Sequence, residues 1–193
     1  MKKLTLSDIK DSREYERERD AFRRHIIDVK KRRRVALGTL MTLVFENTDT
    51  MRWQVQEMAR VERMLRDEQI EYELETYNAI IPDENELSAT LLIELTSDEQ
   101  LREWLPKLVG IHTAIAIALP DGTEVRSEAE DAERLTREDT TPAVHFLKFR
   151  FTPAQVDAFA AGPVRIVSDL PAYREETELS ADQRSELLGD LKA

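Results

Sequence analysis

The chain contains no cysteine. That excludes disulfides, thiolate nucleophiles, iron–sulfur clusters and zinc–thiolate sites held by this chain. A bound metal, with iron, manganese and zinc as candidates, has only His, Asp and Glu to rely on. Glycine is scarce, at five residues, and no GxGxxG, GxxxxGK[ST] or GxSxG stretch occurs. The loops that cradle phosphates or raise a nucleophilic serine are therefore missing. His25, His112 and His145 lie far apart, with no HExxH and no Glu-x-x-His pair among them. Long apolar runs are also missing: no window approaches the roughly 18 residues of a membrane span. The opening twenty residues carry two lysines but no apolar stretch, so they are not read as a signal peptide. The expected location is the cytoplasm, with no membrane partner.

What is present suits one domain with a true core. Of 193 residues, 41% are hydrophobic and 35% charged. The net charge of −11 is unevenly spread. Residues 1–34 hold 13 Lys/Arg and 7 Asp/Glu, a net of +6, which leaves −17 for residues 35–193. A basic arm on an acidic body argues against nonspecific nucleic-acid binding. It suits a homo-oligomer, or docking of the arm on an acidic partner.

Local patterns divide the chain into elements. Residues 12–34 read as a charged helix, capped by Ser7 or Ser12 and broken near Asp20. Its end, Lys30-Lys31-Arg32-Arg33-Arg34, is either a solvated helix terminus favoured by the macrodipole or an anion or partner site. Residues 35–37 and 40–45 read as strands around Gly38. Asn47, Thr48, Asp49 and Thr50 offer caps for a helix over residues 51–68, with a second helix over 68–76 closed by a loop at Tyr77-Asn78. Strands are predicted at 87–95, 111–119, 123–127, 143–151 and 164–168, and helices at 97–108, 153–161 and 180–191. Residues 128–141 read as a loop or short helix anchored by Leu135, and 171–179 as an extended arm. Strands and helices do not alternate strictly. The expected fold is α+β: a mainly antiparallel sheet with helices packed on one face, plus a charged N-terminal helical arm. Residues 1–34 form the arm and 35–193 a single α+β domain, one domain overall.

Two residues stand out chemically. Glu62 falls in the stripe of Met51, Val55, Met58 and Leu65, and a carboxylate there is costly unless paired. His145 shares a strand face with Ala143, Leu147 and Phe149, so it points inward. Either each is a satisfied core group, or the two converge with Glu57, Gln54 or Arg60 on a pocket that binds a metal or moves protons. In the second case Glu62, His145 and Glu57 are the metal ligands. Tyr77 and Asn78 suit a helix terminus more than a ligand contact. Trp53 can line a groove, though packing explains it as well.

Residues 47–62, NTDTMRWQVQEMARVE, resemble the signature helix of the uncharacterised bacterial family filed as domain of unknown function 3501. Tyr77-Asn78, Ile81-Pro82, Ala89-Thr90, Arg33 to Gly38, and Ala143-Val144-His145-Phe146-Leu147 are similar to that family too, in the same order. Trp53 stands where Tyr is commoner in the family. The resemblance implies a supporting role beside rubrerythrin-like proteins and cysteine-rich iron–sulfur oxidoreductases, in redox or peroxide metabolism. It assigns no catalytic residue. Three readings follow: an accessory or binding protein with a redox partner; a metal-dependent or acid–base enzyme using Glu62 and His145; and nucleic-acid binding through residues 30–34.

Overall fold

The computed structural model describes residues 1–129 and 140–193. Leu135 and most of the predicted 128–141 loop lie outside the described residues. The elements run α1 (Ser12–Arg33), β1 (Arg34–Leu37), β2 (Met41–Glu46), α2 (Thr48–Val61), α3 (Asp67–Ile80), β3 (Glu86–Ile93) and α4 (Asp98–Lys107). There follow β4 (Ile115–Ala118), β5 (Glu124–Ala129), β6 (Val144–Arg150), α5 (Pro153–Ala161), β7 (Arg165–Leu170), β8 (Tyr173–Glu178) and α6 (Ala181–Leu191). The fold is α+β.

The eight strands make one sheet in the order β1-β2-β3-β6-β5-β4-β7-β8, and every pairing is antiparallel. The sheet curls until its edges, β1 and β8, touch. Register alternation puts Leu43, Phe45, Ala89, Leu91, Leu147 and Phe149 on the inner face, where they are buried with Ile115, Ile117 and Ile166. Phe159 of α5 and Leu187 and Leu191 of α6 join this core. A smaller core lies outside the sheet, where Met51, Val55, Leu74 and Ile80 of α2 and α3 meet Leu4. Helices thus cover both faces, not one. A curled sheet whose inner face is apolar needs plugs at its openings, and α5 and α6 supply apolar side chains there.

The charged arm is likewise no separate arm. Helix α1 is continuous through Asp20 and is capped by Asp11, which accepts from the backbone N–H groups of Arg13 and Glu14. It buries Tyr15, Ile26 and Val29 and packs against α2 and β2. Other elements differ from expectation for local reasons. Helix α2 ends at Val61 because Arg63 adopts a left-handed conformation (φ 52°), and α3 then runs on through Tyr77 and Asn78. Residues 111–113 form a 3-10 turn before β4. The predicted arm at 171–179 contains β8, which completes the sheet.

One side chain bridges the closure. The Tyr173 hydroxyl donates to the Leu37 carbonyl at 2.7 Å and accepts from the Leu40 N–H at 3.0 Å. Gly38, between them, has φ +61°, and a Cβ there would collide with the Tyr173 hydroxyl and the Glu175 side chain. Gly122 also has positive φ, but a Cβ there meets nothing within 4 Å. Gly122→Ala should therefore cost only the left-handed penalty, about 1–2 kcal/mol. Gly38→Ala adds a steric term of about 1–3 kcal/mol. Urea unfolding of the two variants measures the difference; equal losses would mean that the closure is not tight.

Candidate functional site

The structure does not bring Glu62 and His145 together. Glu62 is the exposed C-terminal cap of α2, and Leu65 beyond it is 83% exposed. The apolar periodicity that made Glu62 look buried runs past the end of the helix. Helix α2 lies outside the sheet, whereas His145 is on its inner face, 4% exposed. Among the described residues no group of three His, Asp or Glu side chains is placed to hold a metal ion.

His145 has other partners. Its Nε2 lies 3.1 Å from the buried Thr141 hydroxyl, and its ring stacks on His112 with centroids 5.8 Å apart. Desolvation, then repulsion from His112, holds His145 below its ordinary pKa. Burial does the same to His112, whose Nδ1 has no hydrogen-bond partner among the described residues. Sequence reading missed His112, because the 3-10 turn that carries it was assigned to a strand.

Glu57 and Arg60 belong to a structural network on α1 and α2. The Glu57 carboxylate accepts from Arg19 Nε at 2.8 Å, from Arg19 Nη2 at 3.0 Å and from the Tyr15 hydroxyl at 2.6 Å. Arg60 joins it at 3.2 Å. The Arg19 bonds are the main cause that draws Glu57 down to about 2. Asn78 clamps the backbone of Leu4 through both amide atoms, at 2.8 and 2.9 Å, and so anchors the N-terminal segment. Trp53 packs edge-on against Phe22 and Tyr15.

The basic run divides in two. Arg33 is buried and makes a bidentate pair with Asp190, at 2.5 and 2.8 Å. Arg32 binds Glu186 and Lys31 binds Asp28. Lys30 makes no ion pair among the described residues, and Arg34 reaches Glu94 only at 3.8 Å. Lys30 and Arg34 line two adjoining cavities. One is a groove of about 650 Å³ with Lys31, Arg23, Ile27 and Trp53 on its walls.

The other cavity, about 270 Å³, lies between the helices and the outer face of the sheet. Gln54 of α2 and Tyr77 of α3 wall it, with Met51. Its floor is Val44, Glu46, Thr90, Leu92, Val144 and Phe146 from β2, β3 and β6. Glu46 is 3% exposed. One carboxylate oxygen accepts from the Thr90 hydroxyl at 2.6 Å; the other, Oε2, is buried without a partner among the described residues. Directly across the strands, outside the cavity lining, stands Ser88, 1% exposed, whose hydroxyl is also without a partner among the described residues. Lys148 follows in the same row and pairs with Glu86 at 3.1 Å. Glu46, Thr90 and Ser88 were not singled out in the sequence. The available signal was alternation: Glu46 and Thr90 fall on the face opposite Phe45 and Leu91.

Of the sequence candidates, then, Gln54, Tyr77, Lys30 and Arg34 converge here, while Glu62, His145, Glu57, Arg60 and Asn78 do not. The arrangement offers a buried acceptor, two rim cations and an apolar wall. It is suited to holding a small polar molecule.

Two outcomes are expected. A His whose folded pKa is depressed binds its proton first in the unfolded chain. Stability is therefore full above pH 6.5 and falls as pH drops below it. For His145 the slope is up to about 1.4 kcal/mol per pH unit. The Glu57 contribution is lost only lower, between 4.5 and about 2. Urea unfolding between pH 5 and 7.5 should show the first slope, reduced in His145→Gln; an unchanged slope would contradict this assignment. Separately, Arg33→Met should cost about 3–5 kcal/mol by stranding Asp190, and adding Asp190→Leu should restore much of it. Denaturant midpoints of the single and double variants decide whether Arg33 is structural.

Comparisons with known proteins give one family and one similar solved structure. The model of a protein family described as "Protein of unknown function (DUF3501)" matches residues 3–191. A crystal structure titled as a novel protein of unknown function, from Burkholderia pseudomallei K96243, is similar with a TM-score of 0.91. It is 33% identical in sequence, and the match covers 99% of this chain and 100% of that one. No curated protein matches.

Proposed function

The chain belongs to the DUF3501 family, whose function is unknown, and from that premise we propose that it is a cytoplasmic binding protein that holds a small molecule in the cavity over Glu46. The observation that carries this reading is Glu46 Oε2, a carboxylate oxygen buried at a cavity wall without a partner among the described residues. A buried carboxylate is unfavourable unless its lone pairs are met. Cores seldom keep such a group for stability, since an uncharged residue of the same shape does better there. A ligand that donates to Glu46 repays the cost at the moment of binding.

The acid–base alternative has lost the pair of side chains on which it was built. Nucleic-acid binding through residues 30–34 has lost Arg33, and Arg32 and Lys31 are engaged in ion pairs as well. No feature of the cavity speaks for a redox partner or for self-association, and neither enters the proposal.

Glu46→Gln keeps an oxygen for the Thr90 hydroxyl and removes the buried charge. If Glu46 serves binding, the variant should be more stable than the natural protein by about 1–2 kcal/mol. It should also fail to retain, in equilibrium dialysis against a desalted cytoplasmic small-molecule extract, a compound that the natural protein concentrates. A variant less stable by more than about 1 kcal/mol makes Glu46 a structural residue. That result, or no compound retained by either protein, ends this reading.

A further inference from the structure

We infer that the ligand of this cavity is a small zwitterion, with an ammonium group on Glu46 and an anionic group between Lys30 and Arg34. This rests on the binding reading above and adds the chemistry of the ligand. The floor of the cavity carries one sign of charge and the rim the other. At the floor, the atom without a partner among the described residues is Glu46 Oε2. A carboxylate oxygen only accepts. An ammonium group brings donors and no acceptor, and so matches it. A second anion at this point would be repelled, and an apolar group would leave Oε2 buried and unmet.

At the rim, Lys30 and Arg34 stand one helical turn apart in sequence, where α1 passes into β1. Neither makes an ion pair with Glu46 among the described residues, so the two ends of the cavity are not neutralised by each other. Both cations also line the neighbouring groove that holds Trp53, which places them where cavity and solvent meet. Arg34 faces Val44 across β1 and β2, and Glu46 lies two residues further along the same face. The two charges therefore leave the sheet roughly 7 Å apart along the strand. Between them the wall is apolar, with Val44, Met51 and Phe146, as a methylene spacer requires. The volume of about 270 Å³ has room for on the order of ten non-hydrogen atoms.

The test is calorimetric titration of the intact protein with three probes of equal length: 6-aminohexanoate, hexanoate and hexylammonium. The zwitterion should bind at least about tenfold more tightly than either one-ended probe. Glu46→Gln should bring it down to the affinity of hexanoate, and the double variant Lys30→Gln/Arg34→Gln down to that of hexylammonium. Circular dichroism confirms that each variant is folded. If hexanoate or hexylammonium binds as well as the zwitterion, the ligand class is wrong and the cavity remains a binding site. If the preference persists in all variants, the zwitterion sits elsewhere and the inference fails. If none of the three probes binds, the inference is overturned, and the dialysis experiment decides whether the cavity binds anything.

Discussion

Antiparallel pairing of β2, β3 and β6 places Leu43, Leu91 and His145 in one row and Glu46, Ser88 and Lys148 in another. Side chains alternate with a period of two, so the rows face opposite sides of the sheet. The inner row joins the main core. The outer row forms a polar floor beneath α2 and α3. A slip of one residue in β3 against its neighbours would exchange the two sets, sending polar side chains into the apolar interior. The cost of that exchange keeps the register single-valued. Every other feature, from the plug by α5 and α6 to the cavity over Glu46, depends on it.

That same alternation explains what could be read from the sequence and what could not. The inward side of His145 was legible because Leu147 and Phe149 alternate with the charged Lys148 and Arg150 within one strand. The helix starts beside Ser97, Thr152 and Ser180 were legible because the signal there is local, a side-chain oxygen that meets the backbone N–H three residues on. Glu62 misled because helical periodicity carries no mark of where a helix stops; only the left-handed turn at Arg63 ends it. Strand β8 was missed because Arg174, Glu175 and Glu176 hide the one inward anchor, Tyr173. Glu46 was missed for a different reason. Its burial comes from helices laid over the outer face, a tertiary event that no single strand records.

The end of α1 shows how one run of like charge divides by geometry. Arg33 points back to α6 and meets Asp190, where two parallel bonds satisfy a guanidinium that has left water. Lys30 and Arg34 line the cavity; Lys30 makes no ion pair among the described residues, and Arg34 reaches Glu94 at 3.8 Å. The passage from helix to strand separates the roles: Arg33 is the last residue of α1 and is buried, whereas Arg34 opens β1 in extended backbone, exposed and opposite Val44. Compositional reading treats the five cations as one patch. In the folded chain most of that charge is spent on holding the helix in place, and two residues remain to face a solute.

The Tyr173 hydroxyl joins backbone groups on a hairpin 136 residues earlier in the chain. On a ribosome adding about 5–20 residues per second, β1 and β2 wait on the order of ten seconds for the strand that closes them. Through that interval the Leu37 carbonyl lacks the hydroxyl from which it accepts. Assembly is therefore weighted toward late, distant contacts, the kind that slows folding most. The same tyrosine that seals the finished sheet also sets when the sheet can be finished.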